Sequence, residues 1–264
     1  MPRAHSVSRF ALALACLLLA GCGTASQPLT ATPVPVAAAP VATIAPPATA
    51  KAAADAPFVF ENVVAGGTTV EFAVSVPESF DPQKAYPILL ALPPGGQDKT
   101  LTGQVMSEVW VSEGRKRGWV VISPVAPGGV MFFEGAEELI PEFLRMVRVR
   151  YQPQGGRYML AGISNGGISA FRIAGRNPEL FYSLTVLPGF PISRDDEAAL
   201  GKLIAMPVTL FVGEQDNSWL KAARQTAATL TGLNGRVTLN VLSNESHVLR
   251  GLSSTVLFDA IALR

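Results

Sequence analysis

From residue 58 onward the chain alternates between short apolar runs and amphipathic stretches. Apolar and polar positions alternate with period two over 58–64 and 68–76, around Gly66-Gly67. That pattern predicts an opening antiparallel pair. Residues 86–92 form a continuous apolar run, as a central strand buried on both faces does. A helix is predicted over 105–116 and a further buried strand over 118–123. Ile140, Phe143, Leu144, Val147 and Tyr151 mark one helical face, and Glu142, Arg145 and Arg148 a solvated one. The apolar stretch Arg157-Tyr158-Met159-Leu160-Ala161, bounded by Gly155-Gly156, reads as a strand. Residues 168–174 then read as a helix that ends near Asn177-Pro178. Strands at 182–187, 207–212 and 236–242 follow, with helices between them and a last helix after Arg250. Strands alternating with helices predict an α/β fold, with a mostly parallel sheet covered on both faces.

The N-terminal part obeys a different pattern. Arg3 and Arg9 precede an apolar run over 10–20 and then Gly21-Cys22-Gly23, the layout of a secretory signal. The run is too short to span a bilayer. Leu19-Ala20-Gly21-Cys22 resembles the lipobox of bacterial lipoproteins, which implies cleavage after residue 21 and lipidation of Cys22. Gly23, in place of an aspartate, implies by the same resemblance an outer-membrane or cell-surface destination in the bacterial envelope. The second cysteine, Cys16, lies in the segment to be removed, so no internal disulfide is expected. Residues 22–57 are rich in alanine, proline, threonine and valine and cannot bury a core, so they are expected to form a disordered tether. One domain is left, 58–264. Loss of Arg3 and Arg9 takes the formal charge from +1 to −1. No basic patch of the kind nucleic acid requires is present.

Gly162-Ile163-Ser164-Asn165-Gly166-Gly167 sits between the predicted strand and helix. A strand, Gly-x-Ser-x-Gly and a helix are the context of a nucleophile elbow. The turn is so sharp that it exposes the serine hydroxyl, and it brings strand and helix so close that glycine is required on either side. The free helix N-terminus leaves N–H groups facing the charge that develops beside the serine. Such a serine needs a base and an orienting acid. Of two histidines, His5 leaves with the signal, so His247, in a polar loop after the last predicted strand, is the base. Asp216 follows the strand 207–212, at the carboxyl end where sites form on open α/β sheets. It is the leading acid, although it also suits the N-cap of the next helix. Asp195 or Asp196, after the preceding strand, is the second candidate.

The order Ser164, Asp216, His247, with the loop Pro93-Pro94-Gly95-Gly96-Gln97 after an early strand, resembles the α/β-hydrolases over the whole of 58–264. The nearest likeness is to small carboxylesterases, dienelactone hydrolases and polyester depolymerases. The resemblance implies a serine hydrolase that cleaves carboxylic esters, small or polymeric, through an acyl-enzyme, with no cofactor and no metal. It also implies two oxyanion donors: the Asn165 N–H, and one from Gly95, Gly96 or Gln97. Prolines replace the usual histidine-glycine start of that loop and have no N–H to donate. Only 188–206 lies between two predicted strands where the family often builds a lid, so little or no lid is expected. Met131, Phe132, Phe133 and Trp219 are candidate pocket residues. The same triad would serve a thioesterase or peptidase. A catalytically silent surface-binding lipoprotein is the alternative from another class.

Overall fold

A computed structural model describes residues 57–263. The expected signal, Cys22 and all of the tether except Pro57 lie outside the described residues. The domain is built on an eight-stranded sheet. Its strands are β1 (Val59–Ala65), β2 (Thr68–Ser75), β3 (Ile88–Leu92), β4 (Val120–Pro124), β5 (Tyr158–Ile163), β6 (Phe181–Leu187), β7 (Val208–Gly213) and β8 (Val237–Leu242). They lie in the order β1-β2-β4-β3-β5-β6-β7-β8. β2 is antiparallel to β1 and β4, and every other neighbouring pair is parallel.

Strand alternation divides the core between the two faces. Ile88, Leu90, Leu92, Leu160, Leu184, Val186 and Leu210 face one way. They pack on Phe143 and Leu144 of α3 (Ile140–Val147) and on Phe171 and Ile173 of α4 (Asn165–Arg176). Leu89, Ala91, Val121, Met159, Ala161 and Phe211 face the other way, toward Trp110, Leu257, Phe258 and Ile261. Burying one such Leu or Phe stabilises by about 1.5–3 kcal/mol, which explains why the central strands are apolar on both faces.

Three elements differ from the sequence pattern. Pro87 interrupts the 86–92 run, because proline cannot donate to a ladder. Ala85–Tyr86 pairs instead with Gln152–Pro153 in a separate two-stranded sheet. The helix expected at 105–116 starts earlier, as α1 (Lys99–Val105), where the Asp98 carboxylate accepts from Leu101 N–H at 3.0 Å. It passes through a π-turn at Met106–Trp110 before α2 (Val111–Lys116), so the pattern marks one buried face but misses the change in pitch. Tyr151 is buried as expected yet lies beyond α3, with its hydroxyl donating to Glu61 on β1 at 2.9 Å.

The crossover between β6 and β7, residues 188–207, holds α5 (Arg194–Ala198) and one 3₁₀ turn, Ala199–Lys202. The last two helices are α6 (Asn217–Gly232) and α7 (Ser254–Ile261). The carboxyl ends of β3, β5, β7 and β8 carry the loops that form the site.

Candidate active site

Ser164 stands between β5 and α4 with φ 55° and ψ −119°. Its carbonyl already accepts from Gly167 and Ile168 N–H, at 2.8 and 3.1 Å, so the helix begins on a residue that is not itself helical. A left-handed φ on a serine costs on the order of 1–3 kcal/mol. Backbone contacts all round it hold the conformation. A Cβ on Gly162 would meet the Gly166 carbonyl, and one on Gly166 would meet the carbonyls of Leu92 and Pro93. The strand, the helix and the β3 loop therefore touch backbone to backbone.

Ser164 Oγ lies 2.8 Å from His247 Nε2, and His247 Nδ1 lies 2.6 Å from Asp216 Oδ2. A carboxylate can only accept, so Nδ1 carries the proton and Nε2 turns its lone pair toward the serine hydroxyl. The Asp216 side chain is 11% exposed and that of His247 39%. Asp216 occupies the N-cap position of α6, yet its side chain makes no capping bond and is held by the imidazole. The acid and base loops are tied together directly. Glu214 N–H donates to Leu242 O and Gln215 N–H to Glu245 O, both at 2.9 Å. A Cβ on Gly213 would meet the Glu245 and Ser246 carbonyls. The Glu245 carboxylate accepts from the N–H groups of Arg250 and Gly251, at 2.9 and 2.7 Å, which closes the loop that presents His247.

Solved structures with similar backbones include a thermostable esterase, with TM-score 0.61 and 18% identity over 71% of this chain and 55% of that one. An S-formylglutathione hydrolase from Agrobacterium tumefaciens gives 0.62 and 16%, over 77% and 93%. A poly(3-hydroxybutyrate) depolymerase from Bordetella parapertussis gives 0.60 and 16%, over 76% and 90%. The fold is that of the α/β-hydrolases. This chain spans little more than half the length of the thermostable esterase. No protein-family model and no curated protein matches the sequence.

On this α/β-hydrolase frame the second candidate acid lies elsewhere. Asp196 is buried and accepts from Arg172 Nε and Nη2 at 2.9 and 2.7 Å. It also closes a capping box with Ser193 at the start of α5. Burial opposes its charge, but the Arg172 guanidinium and the Ser193 hydroxyl outweigh burial and hold its carboxyl below the usual value. Asp195 is exposed beside it.

The loop after β3 is held by Gln97. This residue is wholly buried and has φ 56°. Its Nε2 donates to Ser169 Oγ at 2.9 Å and to Pro93 O at 3.3 Å, and its Oε1 accepts from Phe132 N–H at 2.7 Å. Ser169 Oγ in turn donates to Asn165 O at 2.9 Å. Gln97 N–H donates to Pro94 O at 3.0 Å, so it is engaged inside the turn. A glutamine between a glycine pair and a helix cap gives no local sign of this bracing, since two of its three partners, Ser169 and Phe132, come from distant segments.

The candidate pocket residues separate. Phe132 is wholly buried in the core, where its N–H meets Gln97. Phe133 is partly buried, and its carbonyl accepts from Arg172. Met131 stays beside the nucleophile, with its sulfur 3.6 Å from Asn165 Nδ2. The Trp219 ring packs edge-on against His247 at 4.7 Å between centroids. Sequence reasoning missed Phe190, whose ring lies 4.8 Å from that of Trp219. Among the described residues there is no group of three or more His, Cys, Asp or Glu placed to hold a metal ion.

Proposed function

We propose that this protein is a serine hydrolase that cleaves carboxylic esters through an acyl-enzyme. The observation that carries this reading is the unbroken chain from Ser164 Oγ through both nitrogens of His247 to Asp216. His247 takes the Ser164 proton as Oγ attacks the ester carbonyl carbon, and Asp216 stabilises the imidazolium. The tetrahedral intermediate collapses, and His247 returns the proton to the departing alkoxide. Water then repeats the sequence on the acyl-enzyme, releasing the acid.

The oxyanion needs two donors. Asn165 is the first residue of α4, so its N–H has no partner four residues back in the helix. Its side chain donates to Gly95 O at 3.0 Å. Across a trans peptide the N–H points opposite to the preceding carbonyl. The Gly96 N–H therefore points away from the Asn165 side chain. By the same rule the Gly95 N–H points away from the turn that Pro94 O closes with Gln97. Gly95 and Asn165 are the donor pair this geometry favours, with Gln97 as the brace. The esterases among the solved structures that share this fold, a thermostable esterase and ferulic acid esterases, support the choice of reaction. The Leu19-Ala20-Gly21-Cys22 motif supports an exported, lipid-anchored form with Cys22 as the modified residue.

The test is ester turnover together with labelling by a fluorophosphonate. Both are expected in the natural protein and absent in a folded Ser164→Ala variant, because a half-exposed hydroxyl contributes little packing. Labelling that survives the substitution would refute Ser164 as nucleophile.

A further inference from the structure

We propose that Trp219 and Phe190 form a subsite for the alcohol half of the ester, and that the preferred substrates are esters of aromatic or other bulky apolar alcohols. This rests on the triad reading above. The chemistry assigns the side. When the intermediate collapses, the C–O bond to the alcohol breaks, and the leaving oxygen takes its proton from His247 Nε2. The alcohol half must therefore lie against the imidazole, while the acyl half extends from the far side of the carbonyl carbon. A residue packed on the imidazole meets the alcohol first.

Trp219 is that residue. It stands in the first turn of α6, three residues past Asp216, and its ring meets His247 at 4.7 Å and 63°. Phe190, from the crossover after β6, meets Trp219 at 4.8 Å and 72°. Both rings are only partly buried. Trp219 is steadied from behind by Val212, Leu220 and Ala223, which form a small cluster apart from the main core. Phe190 is steadied by Gly189, which packs backbone to backbone on Gly167 of the elbow helix. Two partly buried rings in edge contact with each other make an aromatic platform, and offset or edge contacts between aromatic groups are the favoured ones.

Two more observations extend the apolar character. Val248, next to His247, and Ile192, two residues past Phe190, are 60% and 48% exposed. Among the described contacts of Ser164, His247, Trp219 and Phe190, the charged partner is Asp216, already held by the imidazole. The imidazole is 39% exposed, so a bulky group can reach it.

The experiment uses benzyl acetate, methyl acetate and methyl phenylacetate with the full chain. Benzyl alcohol and methanol are nearly equal in acidity, so the first two esters differ in leaving-group contact and little in intrinsic reactivity. The natural protein is expected to favour benzyl over methyl acetate by about tenfold or more in kcat/KM, the scale of discrimination that apolar contact provides. Trp219→Ala and Phe190→Ala should each lower that ratio at least about fivefold, and Trp219→Phe should keep most of it. If Trp219→Ala slows both acetates equally, the ring only steadies the imidazole and the proposal fails. If the loss falls on methyl phenylacetate, the platform serves the acyl half and the proposal fails. No preference in the natural protein overturns it as well. Failure of the triad reading looks different: none of the three esters is hydrolysed and no fluorophosphonate label enters at Ser164.

Discussion

Asp216→Asn should lower ester turnover by several orders of magnitude, about 10⁴-fold where the same change has been made in a serine protease triad, while the melting temperature stays close to that of the natural protein. Asparagine has nearly the same shape, but its amide can donate to Nδ1 and thereby stabilise the tautomer that protonates Nε2, the nitrogen that must accept from Ser164. Stability is spared because the Asp216 side chain caps nothing in α6. The contrast is Asp196→Asn. Removing one partner of the buried Arg172 pair should destabilise the fold by about 3 kcal/mol, with turnover per active site little changed. Turnover and melting curves on the two variants separate the roles. A near-normal rate in Asp216→Asn would transfer the acid to another group.

Gly166→Ala should be severely damaging for a single added methyl. Its Cβ would fall on the carbonyls of Leu92 and Pro93, and neither is the end of a flexible side chain. Overpacking of this kind costs about 1–3 kcal/mol when side chains can adjust, and here backbone would have to move. The movement would part α4 from the β3 loop, and so part Asn165 from Gly95. We expect low soluble yield and, in whatever folds, turnover reduced by at least about 10²-fold, as for loss of an oxyanion donor. Gly232→Ala is the control. Nothing lies within 4 Å of that position, and alanine favours a helix by up to about 1 kcal/mol. If Gly166→Ala matched that control in yield, melting and turnover, the close approach would have no functional weight.

How much of this was legible along the chain differs from residue to residue. Ser164 announces itself because the elbow is local: a strand, two flanking glycines and a helix lie within one short window. His247 follows from counting, since it is the one histidine within 58–264. Asp216 is legible only as a position after a strand, and its position also suited a helix cap. Its contact with His247, on which the proposed role rests, joins residues 31 apart in sequence. Pro87, by contrast, was legible in principle: a residue without an N–H inside an apolar run marks the end of a ladder.

The sequence by itself determined the class of fold, through period-two and helical spacing of apolar residues, and it singled out Ser164 and His247 as the proposed nucleophile and base, through residue type and local context. The tertiary structure alone brought Asp216 to His247 and set the bracing by Gln97, the burial of Phe132 and the meeting of Trp219 with Phe190 beside His247. The physical reason is the range of the interactions. Propensity and periodicity act over a few residues. The Ser164–His247 contact spans 83 residues, and the one between Gln97 and Ser169 spans 72. Such contacts exist because the parallel register, with Gly213 opposite Leu242, carries separate loops to the same end of the sheet.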